Sequence, residues 1–437
     1  MKFSDIYSLK GSGVTWKDVL LMYVVLALSG NPYIQGKHFQ IFLVVASIVP
    51  IVYMLRNNHK PVSISTILIF LFLIGYEFMH SLMYDLDYSL TIFKITLVLL
   101  LGKVAAEIFG ERFIRVLVKT MVLISLISFV FVLLSYVPGL NTWMYRTFAS
   151  MFPIPKNWQG LAPVTNLVYT FSWEYFTGEF SYVRNAGIFW ESGAFAVFLN
   201  ITLYLHYSTK KLVKLKDMFD RDAVVLVIAA ISTTSTMGIF GVLAVLTFFT
   251  FMVNSPAKYV LMVFVAFAFS LAFTRVEFLG KKIQHQLEES GRSNNRFGSA
   301  IKDFKDFAER PLLGWSRRNE VIFGTTKFIA RTHRPNGLTN QLRSYGIIYF
   351  SFYIWLVYLG FSRLYKYHHK HLRVIYPLFG ILVLFIVSFS EPIFDLVFLK
   401  MLMFVHQIYS GDPHAPKSVR AKEMAFRSDN DLQAVTT

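Results

Sequence analysis

Long apolar runs separated by short polar connections dominate the chain, and no alternation of period two interrupts them. A helix needs about 17–25 apolar residues to cross the hydrocarbon of a bilayer. Twelve runs of roughly that kind are legible, at 18–34, 39–55, 62–83, 90–109, 115–138, 187–207, 222–236, 238–252, 259–275, 338–361, 374–390 and 394–410. Helix is the state such runs must take, because a spanning segment has to satisfy its own backbone hydrogen bonds. The alternating lipid-facing pattern of a membrane barrel is missing. The expectation is an all-α polytopic membrane protein of about 12 transmembrane helices, forming one transmembrane unit over 18–410. Residues 1–17 form a polar N-terminus, and 411–437 read as a short, polar, disordered tail.

Composition agrees with this: 55% of the 437 residues are hydrophobic. The basic residues then orient the spans. Connections 56–61, 103–119, 208–221, 252–259 and 363–373 carry sixteen Lys or Arg, whereas 31–38, 84–89 and 391–395 carry only Lys37. The positive-inside rule puts both termini in the cytoplasm, which an even number of spans requires. Two long loops, 139–186 and 276–337, then fall on the outer side. The net charge of +17 is largely explained by this asymmetry and by attraction to anionic membrane lipids, so it does not indicate a nucleic-acid partner. Without cysteine the chain has neither disulfides nor thiolate metal sites. The first 17 residues are polar and no small-residue cleavage site follows them, so no cleavable leader is expected.

Ionisable residues inside spans are costly, so their depth is informative. Glu77, His80, Lys94, Glu191 and Arg343 all fall in the outer half of their spans, which points to a polar cavity opening outward. A Glu77–Lys94 ion pair would offset the burial of both. Arg184, in Arg184-Asn-Ala-Gly-Ile-Phe-Trp-Glu-Ser-Gly193, is expected at the headgroup level, where a guanidinium suits a diphosphate. Glu191 is expected on the same helical face, about 10 Å deeper. Ser232-Thr-Thr-Ser-Thr-Met-Gly238 joins two spans with almost no loop, as a tight hairpin or as a broken helix lining a cavity. Trp143, Tyr145, Trp158, Tyr169, Trp173, Tyr175 and Tyr182 fit an interfacial aromatic belt, and such rings also stack on sugars.

The outer loop 276–337 is the most chemically suggestive segment. Phe297, Ala300, Ile301, Phe304 and Phe307 recur at helical spacing, with Lys302, Asp303, Lys305 and Asp306 opposite, predicting an amphipathic helix on the membrane that ends before Pro311. His333 lies between Arg331 and Arg334, whose charge favours the neutral imidazole that a general base needs. Asp85-Leu-Asp87 has the spacing of a divalent-ion motif, but acids in outer loops are ordinary, and no metal site or cofactor is expected.

Four elements in order resemble the O-antigen polymerase and O-antigen ligase superfamily of bacterial integral membrane glycosyltransferases. They are the Arg184–Gly193 run, Ser235-Thr-Met-Gly238, Arg296 fifteen residues before Pro311-Leu-Leu-Gly314, and His333-x-x-Asn336 ahead of Gly346. Two positions depart from the family pattern: Trp315-Ser316 follow Gly314, and Pro335 stands where the family has a second His. The resemblance implies a fold like the C-type glycosyltransferases, acting on the periplasmic side without metal or nucleotide. The donor and acceptor would be oligosaccharides on undecaprenyl diphosphate, supplied by a flippase, with a chain-length regulator as a further partner. It also implies that Arg184 and Arg296, with Arg331 or Arg334, hold the donor diphosphate. His333 or Glu191 would take the acceptor proton, and Asn336 would orient His333 or a sugar hydroxyl. The Phe-Trp-Glu-x-Gly run favours the polymerase branch over the ligase that loads lipopolysaccharide core. A flippase or transporter would need polar groups at the midplane and on both sides, whereas these gather at the outer face.

Overall fold

The computed structural model describes residues 12–36, 39–56, 63–85, 89–154, 164–172, 182–253, 296–318, 335–369 and 373–409, with a few isolated positions besides. His333, Arg331, Arg334, Asp87, Trp158, Trp173, Tyr175, most of the span 259–275 and the tail 411–437 lie outside them.

The described residues are mostly helical. In order the α-helices of six or more residues are α1 (Trp16–Gly30), α2 (Phe39–Arg56), α3 (Ile64–Tyr84), α4 (Ser89–Phe109), α5 (Phe113–Ser135), α6 (Leu140–Met151), α7 (Ser192–Ser208), α8 (Arg221–Ser232), α9 (Thr236–Met252), α10 (Arg296–Glu309), α11 (Gly337–His368), α12 (Ile375–Ser388) and α13 (Val397–Leu402). The strand content among them is one two-residue hairpin, Val164–Thr165 against Thr170–Phe171. Three stretches are long and apolar enough to cross a membrane: α3, the continuous α4–α5 stretch Ser89–Ser135, and α11. Shorter apolar helices include α9 and α12, and α12 packs on α11. Ile64, Leu68, Leu71, Phe78 and Leu82 of α3 are exposed along one face, the outward apolar stripe expected of a helix in lipid. These features are those of an all-α membrane protein.

Helix α7 is the axis of the bundle. Every residue from Ser192 to Ser208 is buried, and α5, α8, α9 and α12 surround it. A helix apolar all round belongs at such a centre. Small residues allow the close approach of α9: a Cβ on Gly238 would come within 2.5 Å of the Ala196 methyl. Asn200 Nδ2 then bridges the two helices by donating to the Gly238 carbonyl at 3.0 Å.

Three elements and one expected ion pair depart from the pattern expected of the sequence. Helix α7 starts at Ser192, five residues later than its apolar run, because Gly187 takes a left-handed φ of 54° and turns the chain. Arg184 and Glu191 therefore share no helical face; Glu191 is the extended N-cap of α7. The last span is broken: α13 is followed by a separate turn, Val405–Ile408. Helix α10 forms as predicted, but its buried side carries Gly298, Ser299, Ala300 and Asp303, and Ile301 and Phe304 are exposed. Packing against α11 decides its orientation, so Asp303, expected on the solvated face, is fully buried. Finally, Glu77 is paired with Tyr345, whose hydroxyl donates to it at 2.6 Å, and not with Lys94.

Candidate functional site

The end of the bundle where α7 and α11 begin gathers most of the buried charge. Helix α11 opens with Asn336 as its N-cap, which accepts from the Thr339 amide at 3.0 Å. The same side chain donates to the Arg296 carbonyl at 3.4 Å and so ties the start of α10 to the start of α11. Asn336 is thus a scaffold residue in this arrangement.

A few residues on, α11 breaks at Gly346, whose φ of 69° and ψ of 178° are not helical. A break releases backbone groups that need new partners. The Pro311-Leu-Leu-Gly314 segment supplies several of them. Trp315 and Ser316 amides donate to the Arg343 and Ser344 carbonyls at 3.0 and 2.9 Å, and the Ile347 amide donates to the Pro311 carbonyl at 2.8 Å. Gly314, with φ of 74°, crosses Gly346 so closely that a Cβ on either would overlap the other's backbone. Tyr76, His80 and Tyr84 of α3 bond the carbonyls of the same crossing, including Tyr76 to Tyr345 at 2.6 Å and Tyr84 to Gly314 at 2.6 Å.

On this platform Arg296 meets two carboxylates. Its Nη2 donates to Glu391 Oε1 at 2.9 Å and to Glu191 Oε1 at 3.5 Å. Glu391 lies in the short connection between α12 and α13, with its side chain 2% exposed, and Trp190 Nε1 donates to its other oxygen at 3.3 Å. Gly193 leaves room for the pair, since a Cβ there would overlap Glu391 Oε1. Burial holds the Glu391 carboxyl well above the usual carboxylate range, the charge of Glu191 and a hydrogen bond to it push the same way, and Arg296 opposes them. Two acids this close share a proton. The pair can therefore hold one proton and one charge beside a guanidinium, the equipment for general acid–base work.

Arg184 is buried, 6% exposed, and its Nε donates to Thr234 Oγ1 at 3.1 Å in the α8–α9 turn. Its neighbour Asn185 donates to Ser128 and Ser232. The Arg184–Asn185 step thus anchors the tight α8–α9 hairpin, where Thr234 has a φ of 50°.

A second cluster sits on the far side of the Glu391 connection. Asp395 is shared by Arg317 at 3.3 Å and Lys400 at 3.5 Å, and Arg343 faces Asp303 at 3.9 Å with both side chains buried. Lys94, Arg317, Gln341, Arg343 and Asp395 border a cavity of about 330 Å³. Gly337 also lines it and packs directly on the Glu391 carbonyl, so cavity and carboxyl pair adjoin.

Glu391, Asp395, Arg317 and Lys400 were not singled out by sequence reasoning. Lys400 carried a usable signal, a cation in the middle of an apolar run. Among the described residues no group of three His, Cys, Asp or Glu could hold a metal ion. No protein-family model, curated protein or solved structure matches this chain.

Proposed function

We propose that this protein is a polysaccharide repeat-unit polymerase of the bacterial inner membrane. In this reading it has about twelve spans in a C-type glycosyltransferase-like fold and works at the periplasmic face. It transfers a growing glycan from undecaprenyl diphosphate onto the next lipid-linked repeat unit. The observation that carries the proposal is the Glu191–Arg296–Glu391 cluster, because it joins two of the four family-like elements, far apart in sequence, at one catalytic-grade constellation.

Glu191, the more exposed acid of the pair, takes the proton of the acceptor hydroxyl. The hydroxyl oxygen forms the new bond to the anomeric carbon as the old glycosidic C–O bond breaks. The electron pair leaves on undecaprenyl diphosphate, and the anomeric centre inverts. Arg296 stabilises the charge that builds on the leaving diphosphate. Arg184 holds the α8–α9 hairpin behind it.

A glycan gel of a strain lacking the gene, complemented with wild type or Arg296→Ala, tests this. Wild type restores the ladder, and Arg296→Ala leaves a single repeat unit on the lipopolysaccharide core. Loss of every glycan-bearing band, with lipid-linked polymer accumulating, assigns a ligase instead. Accumulation of unflipped precursor on the cytoplasmic side assigns a flippase.

A further inference from the structure

The cavity beside the carboxyl pair has no role in the transfer chemistry described above, yet its lining is chemically specific. Four cations, Lys94, Arg317, Arg343 and Lys400, stand in or behind its wall against three carboxylates, Asp395, Asp303 and Glu77. Each carboxylate has a partner: Asp395 has Arg317 and Lys400, Asp303 has Arg343 and Thr339, and Glu77 has Tyr345. Lys94 has no carboxylate within ion-pair distance among the described residues, and its ammonium stands 4.4 Å from the Phe39 ring centroid. At formal charge, these seven described groups sum to one positive charge.

A second observation is independent of that count. Gln341 is 7% exposed and borders the cavity, and its Nε2 has no hydrogen-bond partner among the described residues. A buried donor left unmade is costly, so a lining that holds one is built for an acceptor. Surplus charge and waiting donor both call for an anion.

The size of the surplus decides which anion. A diphosphate brings at least two negative charges and would leave one of them uncompensated where screening is weak. A single carboxylate matches the single surplus cation. The remaining wall suits a sugar ring: Asn340 and Gln341 offer amides to hydroxyls, and Phe39 offers an aromatic ring to C–H faces. The volume, about 330 Å³, lies at the small end of ligand sites.

We propose that this cavity binds a pyranose ring bearing one carboxylate, an acidic sugar of the glycan, through Lys94 and Gln341. The proposal rests on the glycan-transfer reading above and adds that the repeat unit is acidic.

Saturation-transfer NMR on the purified full-length protein in detergent, with D-glucuronate, D-glucose and inorganic pyrophosphate as probes, tests it. Glucuronate binds to wild type and glucose does not. Lys94→Met weakens glucuronate about tenfold or more, the scale of one charge-assisted hydrogen bond, and Lys94→Arg restores it. Gln341→Leu, which retains every charge, also weakens it and serves if Lys94→Met does not fold. Equal binding of glucose, or no glucuronate signal, overturns the proposal. So does pyrophosphate that displaces glucuronate and itself depends on Lys94, since that makes the cavity a phosphate site. An unchanged glycan ladder in the deletion strain with Lys94-dependent glucuronate binding would sink the polymerase reading and leave the cavity's chemistry standing. A lost ladder without glucuronate binding would do the reverse.

Discussion

Where α7 ends, Asp220 meets His206 and Lys210, Lys119 meets Asp222 at 2.9 Å, and Arg112 meets Asp18 at 2.7 Å. Where α7 begins, Arg296 is divided between two carboxylates, Asp395 between two cations, and Arg343 and Asp303 are sealed from solvent. The first set consists of partly exposed pairs. Burial works against the charge of Asp220, yet His206 and Lys210 hold its carboxyl below the usual range. Pairs of this kind fix helix ends and orientation and contribute modestly. The second set keeps charge in short supply of partners, which is costly for stability and useful for chemistry. One helix thus separates a layer of partly exposed ion pairs from a layer of buried, unevenly partnered charge.

The largest effect expected at the α7 start comes from its platform. Gly346→Ala forces a Cβ into the Leu312 carbonyl at a left-handed φ. We expect a loss of at least about 3 kcal/mol, read as a collapsed melting temperature in detergent; a near-neutral result would mean that the crossing is not tight. Tyr345→Phe removes the donor to buried Glu77. It should cost about 2 kcal/mol, and an unchanged melting curve would show that Glu77 has another partner.

A smaller, pH-dependent effect belongs to Glu391. Its carboxyl is held above the ordinary value of 4.5, so folding takes up a proton. Stability is then fullest below that value and is lost as pH rises through the folded one. Glu391→Gln keeps the shape without the titration and should flatten the fall in melting temperature above about pH 5; parallel curves would refute the shift. Smallest of all, Lys119→Ala at the opposite end should cost under about 1 kcal/mol and leave the glycan ladder intact. A lost ladder there would erase the contrast between the two ends.

The contrast also marks what the sequence could reveal. Helices α2, α3, α4, α9 and α12 follow from long, predominantly apolar runs, the composition that a lipid-spanning helix needs. Arg296 and Glu191 were legible because each sits in a short pattern with chemical sense. Glu391 and Asp395 were not, because five residues between two apolar runs read only as a turn. What makes them a site is Gly337 packing on the Glu391 carbonyl and Arg317 arriving from a remote loop, and neither contact leaves a local trace. Asp303 was placed on the wrong side of α10 for a related reason. Amphipathic spacing names two faces, but an Arg343 from α11 chose which one was buried.

The Gly314–Gly346 crossing has a mutational consequence. Both residues occupy one volume and each blocks a side chain on the other. The first substitution at either position must already spread the crossing, so much of the steric cost of the second is spent in advance and the two effects combine less than additively. Whichever glycine is replaced first bears most of the penalty, so under substitution the crossing responds as one unit.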